Sequence, residues 1–348
     1  MGLNDDWLAS TPEDILEPTL PICDPHHHLW DSGMAASANF RKEQVEPRYL
    51  LDELLADLRS GHNVVSTVFI ECASMYRQDG PVEMRPVGET EFVNGVAAMS
   101  ASGLYGPTRV AAAIIGFADL MLGDGVAAVL EAHIGAGGGR FRGIRHAASW
   151  DASPDVRNSH TNPPEHMLAD ETFRAGFARL APLNMSFEGW CYHQQIPEMT
   201  ALARAFPDTT IILNHFGGPL GIGPYAGKRD DYLPQWKRDI AELATCPNVV
   251  AKLGGVNMRT NGYDWDKRDT APGSEELAAT TRVFYDYCIE HFGPERCLFE
   301  SNYPVDKVSC SYHVLWNTFK RIASGCSAAE KAHLFHDTAT RVYRINAT

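Results

Sequence analysis

The segment Asp24-Pro25-His26-His27-His28-Leu29-Trp30-Asp31 sets three consecutive histidines between two aspartates in this 348-residue chain, a pattern suited to an enzyme active site. Alternate side chains of a strand share a face. His26 and His28 are therefore expected to point together into the open end of a sheet or barrel, with His27 pointing into the layer behind. Two imidazoles on one face can hold a metal, because neutral imidazole is a common Zn²⁺ ligand; they can also be core histidines bonded to backbone carbonyls. Further polar residues fall at the ends of apolar runs: Glu71, Arg145 with His146, Tyr192 with His193, His215 before Phe-Gly-Gly-Pro, Lys252, and Glu300 with Asn302 and Asp306 just beyond. Arg145 offers a planar fork that suits a carboxylate, or it closes a salt bridge; Lys252 has the same two readings. His193 either orients a substrate or bonds a loop, and Trp150, Trp190 and Trp265 read as packing or pocket wall.

Such groups need a frame that brings distant segments together. Eight short apolar runs recur along the chain: Pro21–Cys23, Val64–Cys72, Val110–Phe117, Phe141–Ala147, Asn184–Cys191, Thr210–Asn214, Val249–Leu253 and Cys297–Glu300. They are rich in Val, Ile and Phe and bounded by turn residues, as buried parallel strands are. Helical patterns lie between them at Tyr49–Ser60, Glu89–Ser102, Gly125–Gly135, Asp170–Leu180, Pro197–Phe206, Gln235–Thr245, Ser274–Phe292 and Ser327–Tyr343, the last opened by a Ser327/Glu330 capping box. This alternation predicts a single (β/α)8 TIM-barrel domain over residues 1–348, with residues 1–20 as an N-terminal extension; an open doubly wound sheet is the other arrangement it allows. In a barrel, catalytic groups stand at the C-terminal ends of the strands, which is where the polar residues fall. The mouth loops are expected at Ser32–Arg48, Ala148–Met167 and Leu220–Tyr232.

The formal net charge of −14 and the lack of any basic run longer than two residues argue against nucleic acid as a partner. No apolar run approaches the roughly 20 residues of a membrane span, and no secretory leader is visible. The eight cysteines are widely and irregularly spaced, as scattered reduced thiols are. The expectation is a cytoplasmic enzyme, with association into a homo-oligomer left open.

Six segments, CDPHHHLWD, FIECASMYRQDGP, GIRHAASWD, SFEGWCYHQQIPEMTALARAFPDTTIILNHFGGP, VVAKLGGV and CLFESNYPVDK, resemble in order and spacing the amidohydrolase superfamily, in the amidohydrolase 2 branch that includes sugar-acid and aromatic-pathway lactonases. The resemblance spans nearly the whole chain and implies a distorted TIM barrel. In metal-dependent members an H-x-H pair, a later His and a final-strand Asp surround a divalent ion, usually Zn²⁺. By position these are His26, His28 and His215, with Asn302 where the family has Asp. The family pattern G-S-D-W-P reads Glu300-Ser301-Asn302-Tyr303-Pro304 here. An amide cannot act as the proton-accepting base. Either Glu300, two residues earlier on the same face, supplies the carboxylate, or the site works without metal.

The resemblance implies a hydrolase that opens a lactone or related C–O ester of a small carboxylated substrate by water attack at the barrel mouth. His26, His28, His215, Glu300 and Asn302 would form its catalytic set. Glu71, Arg77, Arg145, His146, Tyr192, His193 and Lys252 would bind substrate. A non-oxidative decarboxylase of the same superfamily is the second reading, and a catalytically silent metabolite-binding barrel the third.

Overall fold

The computed structural model describes residues 5–31 and 46–345. The apolar runs become eight strands: β1 (Pro21–His27), β2 (Asn63–Ile70), β3 (Arg109–Gly116), β4 (Phe141–Arg145), β5 (Ser186–Gly189), β6 (Ile211–Leu213), β7 (Val249–Leu253) and β8 (Cys297–Phe299). They pair in chain order, all parallel. The ring closes just beyond β8, where His27 bridges Tyr303 and the His28 N–H donates to the Tyr303 carbonyl at 2.8 Å. The fold is the TIM barrel expected from the alternation of runs.

Both strand faces are buried, which is why the runs are almost wholly apolar. Val64, Phe69, Val110 and Ile114 belong to the large cluster shared with the helices. Val68, Ile70, Ala113, Ile115, Val250 and Leu298 form a separate cluster inside the barrel, together with Val342 and Tyr343 of the C-terminal segment. The interior is thus filled at its base by the end of the chain.

The surrounding helices are α1 (Leu51–Leu58), α2 (Val87–Ala101), α3 (Val126–Ala136), α4 (Glu171–Phe177), α5 (Ile196–Ala205), α6 (Arg229–Ala244), α7 (Ser274–Phe292) and α8 (Tyr312–Ile322). Asp170 caps α4 by accepting from the Thr172 and Phe173 N–H groups at 2.8 and 3.1 Å.

Three boundaries differ from the sequence expectation. Helix α8 had no clear signal: Tyr-His-Val-Leu-Trp-Asn-Thr-Phe contains many β-branched and aromatic residues of modest helix propensity, and its burial compensates. Helix α6 begins at Arg229, six residues before Gln235, and carries Pro234 inside it; Asp230 and Asp231 in its first turn favour that earlier start through the helix dipole. Ser327–Tyr343 is not one helix but Ala328–Ala332, a π-helical turn at His333–Asp337 and Thr338–Val342. Its capping box is formed, with Ser327 and Glu330 each accepting the other's backbone N–H.

The N-terminal segment lies along the barrel. Trp7 Nε1 donates to the Arg268 carbonyl at 2.8 Å, and Glu13 accepts from the Ser274 N–H at 2.6 Å. All eight cysteines carry free thiols. Among the described residues no helix is long and apolar enough to cross a membrane. Most of the Ser32–Arg48 mouth loop falls outside the described residues.

Candidate active site

At the end of β1, His26 and His28 point the same way, and His27 turns outward to Thr67 Oγ1 (2.9 Å) and the Phe69 ring. His26 Nδ1 lies 2.5 Å from Glu300 Oε2, and His28 Nδ1 lies 2.8 Å from the Ile70 carbonyl. Both partners accept, so both Nδ1 atoms carry the proton and both Nε2 atoms carry lone pairs. Those two Nε2 atoms face each other at 3.3 Å. Burial, then the neighbouring Lys252, holds His26 well below the usual imidazole pKa; burial, then Arg145, does the same for His28. Both rings are neutral at physiological pH and able to act as ligands or proton acceptors.

Glu300 is the hub of the floor. Its Oε1 lies 2.7 Å from His215 Nδ1, yet neither atom has hydrogen-bond geometry with any described residue. His26, His215 and Glu300 converge, with one ligand atom from each within 4.8 Å of the others. This cluster requires the Gly254-Gly255 turn. A Cβ on Gly255, whose φ is +72°, would stand 2.1 Å from His215 Nδ1, and one on Gly254 would stand 2.5 Å from Glu300 Cγ. Asp24 ties the ends of β1 and β8 together: its carboxylate accepts from the Ser301 N–H at 3.0 Å and from Tyr312 Oη at 2.9 Å.

Below the floor runs a fully buried polar chain. Lys252 Nζ lies 2.9 Å from Glu188 Oε2 and 3.8 Å from Glu300 Oε2. Glu188 also accepts from Asn214 Nδ2 and from Tyr343 Oη, each at 2.5 Å. Lys252 is therefore a buried counter-charge beneath the histidines and does not line the mouth.

Above the floor opens a cavity of about 330 Å³. Of the residues expected at the site, His28, Arg145, Tyr192, His215 and Asn302 line it, with Trp190 as a wall. The Trp190 ring meets His215 edge-on at 4.8 Å. Arg145 is held by Glu71, its Nε 2.7 Å from Oε1, and its Nη1 lies 3.4 Å from His26 Nε2. Burial pushes the Glu71 carboxyl up, but His160 and Arg145 together hold it well below the usual carboxylate range. Asn302 has a positive φ of 55° and donates from Nδ2 to Asp306 Oδ1 at 2.8 Å. Burial raises the Asp306 carboxyl to about 8.

Besides Lys252 and Glu71, three more expected substrate contacts do not line the cavity. Arg77 is half-exposed and pairs with Glu91. His146 is buried between Phe117 and Phe173 and accepts from the Leu120 N–H. His193 stacks on Tyr232 and accepts from the Leu220 N–H, which is the loop-bonding alternative. Conversely, Arg157, Asn158, His160, Arg259 and Thr260 line the cavity and carried no motif. His160 Nε2 reaches within 3.1 Å of Glu71 Oε2. The sequence signal for this group was the length of the loops after β4 and β7, each far beyond the usual two to six residues of a βα connection.

The amidohydrolase family model matches residues 23–345, and the chain belongs to that family. It is 33% identical over 94% of its length to protein y4mH of Sinorhizobium fredii, covering 99% of that protein. It is 28% identical over 67% of its length to an L-fucono-1,5-lactonase of Burkholderia multivorans, covering 72% of that enzyme. A solved amidohydrolase from Burkholderia multivorans, described with bound zinc, superposes with a TM-score of 0.71 at 25% identity, covering 93% of this chain and 99% of the other. The protein is an amidohydrolase-family hydrolase.

Proposed function

We propose that the enzyme opens the ring ester of a small sugar-acid lactone by attack of water at the barrel mouth. The observation that carries this reading is the buried His26–Glu300–His215 cluster beneath a cavity lined by Arg145 and neutral His28. The similarity to a sugar-acid lactonase supports the same substrate class.

The residues fit a divalent metal. Two imidazole lone pairs face each other, and a buried carboxylate oxygen and a buried imidazole nitrogen lie together without hydrogen-bond geometry. His26, His215 and Glu300 would hold the ion, with His28 beside them. When bound, it would supply Lewis acidity toward the ester carbonyl. Glu300 fills the carboxylate role that Asn302 cannot, from the position just past the end of β8.

The chain's own groups divide the remaining work. Arg145, fixed by Glu71, turns one guanidinium edge toward His26 and the cavity, where it stabilises negative charge developing on the substrate oxygen. His28 presents the lone pair of a neutral ring and accepts the proton of the attacking water. Asn302, bound to Asp306, positions substrate by hydrogen bonding. Trp190 closes one wall against solvent.

A panel of aldonolactones and aromatic-pathway lactones, followed by proton release, tests the proposal. Turnover of a sugar lactone that falls at least about 100-fold in His26→Ala supports it. Release of CO₂ from an aromatic acid without lactone opening would favour the decarboxylase reading, and binding without turnover the silent barrel.

A further inference from the structure

A second cavity, of about 570 Å³, lies at the opposite end of the barrel. Its walls come from the N-terminal ends of β2, β3 and β4, the last turns of α2 and the C-terminal segment. Arg109 opens β3, Arg140 and Arg142 flank the start of β4, and Arg344 follows the last helical turn; all four line the cavity with His336 and Thr340. The volume is within the range of small-molecule sites.

The four guanidiniums have no acidic partner among the described residues. Elsewhere in this chain of net charge −14, arginines such as Arg48, Arg179, Arg204 and Arg268 do find one. Three of the four are instead fixed by neutral acceptors. Arg142 donates from Nε to the Tyr343 carbonyl at 2.8 Å and from Nη1 to the Gly139 carbonyl at 2.7 Å. Arg140 donates to Asn94 Oδ1 at 2.8 Å, and Arg344 to the Arg142 carbonyl at 3.3 Å. These bonds hold the forks in place without neutralising them. Burial lowers the Arg142 pKa, and the nearby Arg344 and Arg140 lower it further.

We propose that this basal cavity is a binding site for a small polyanion, a molecule carrying at least two phosphate or carboxylate groups, held by Arg109, Arg140, Arg142 and Arg344. Planar guanidinium forks match both oxyanion types. The pocket-sized volume and the acidic remainder of the chain select a small ligand over a nucleic acid. The site is separate from the mouth, where Arg145, Arg157 and Arg259 stand.

Calorimetric titration of the full-length protein with pyrophosphate, and separately with citrate, tests this and distinguishes the two oxyanion sources. The expected result is one saturable equivalent with a dissociation constant of about 1 mM or tighter for at least one probe, weakening with salt. Arg109 is exposed at a strand end, so Arg109→Ala is expected to fold normally. It should weaken binding roughly ten-fold, with Arg109→Lys in between. Arg157→Ala, in the mouth, should leave the titration unchanged. Failure of both probes to saturate would overturn the proposal. So would binding that is indifferent to Arg109→Ala, or binding lost in Arg157→Ala.

Discussion

Lys252 separates two accounts of the barrel floor, and its replacement by methionine gives the most informative variant. As an anion clamp at the mouth, its loss would raise KM and leave stability alone. The structure places it wholly buried, 2.9 Å from Glu188 and 3.8 Å from Glu300. Lys252→Met preserves volume but leaves buried carboxylates without their cation, which costs about 3–5 kcal/mol. With an unfolding entropy of about 2.1 cal/mol/K per residue over 348 residues, each kcal/mol shifts Tm by about 1.4 °C. The variant should therefore melt roughly 4–7 °C below the parent. Glu188→Gln keeps an acceptor oxygen for Asn214 or Tyr343 and removes the charge. The double variant Lys252→Met/Glu188→Gln should accordingly recover at least about 1 kcal/mol relative to the sum of the singles. Differential scanning calorimetry of the four proteins completes the cycle. A Lys252→Met Tm within about 1 °C of the parent, with KM raised, would refute the buried-pair account.

Other outcomes follow from the same geometry. Gly255→Ala, which drives a Cβ into His215 at a positive φ, should cost about 1–3 kcal/mol and lower the metal content measured by mass spectrometry. Asn302→Asp should not improve catalysis: it loses the donor to Asp306 and sets two carboxyl groups together, so kcat should fall and Asp306 should stay protonated to higher pH. Glu71→Gln tests a depressed carboxyl. Because the folded pKa lies below the unfolded value of about 4.3, the ionised Glu71 contributes its full stability above that pH and loses it as pH falls further. The Tm deficit of Glu71→Gln should thus be constant from neutral pH down to about 4.3 and shrink below it; a deficit independent of pH would contradict the Arg145 and His160 pairing.

The barrel was legible because each strand is buried on both faces and so appears as an apolar run, and because strand ends carry the polar residues. The H-x-H pair, His215 and Glu300 were legible for the same reason, since strand periodicity fixes which residues share the inner face. Helix α8 was not, because its stability comes from burial of Tyr312, Trp316 and Phe319 and little from propensity. His146 stands away from the cavity and Lys252 takes the ion-pair reading for a common cause, while Arg77 lies in the irregular segment between β2 and α2. A polar residue near a strand end can reach the mouth, the helical layer or the level beneath the floor, and only packing decides among them. His160 and Arg157 stand in an irregular loop whose path no periodicity specifies.

The most direct test of the central claim is hydrolysis of L-fucono-1,5-lactone and related aldonolactones by the parent enzyme and by Glu300→Gln, with metal content measured on both. The account predicts turnover by the parent and a loss of at least about 100-fold in kcat/KM for the variant, together with reduced metal retention. A parent enzyme that opens no lactone, or a Glu300→Gln variant as active as the parent, would contradict it.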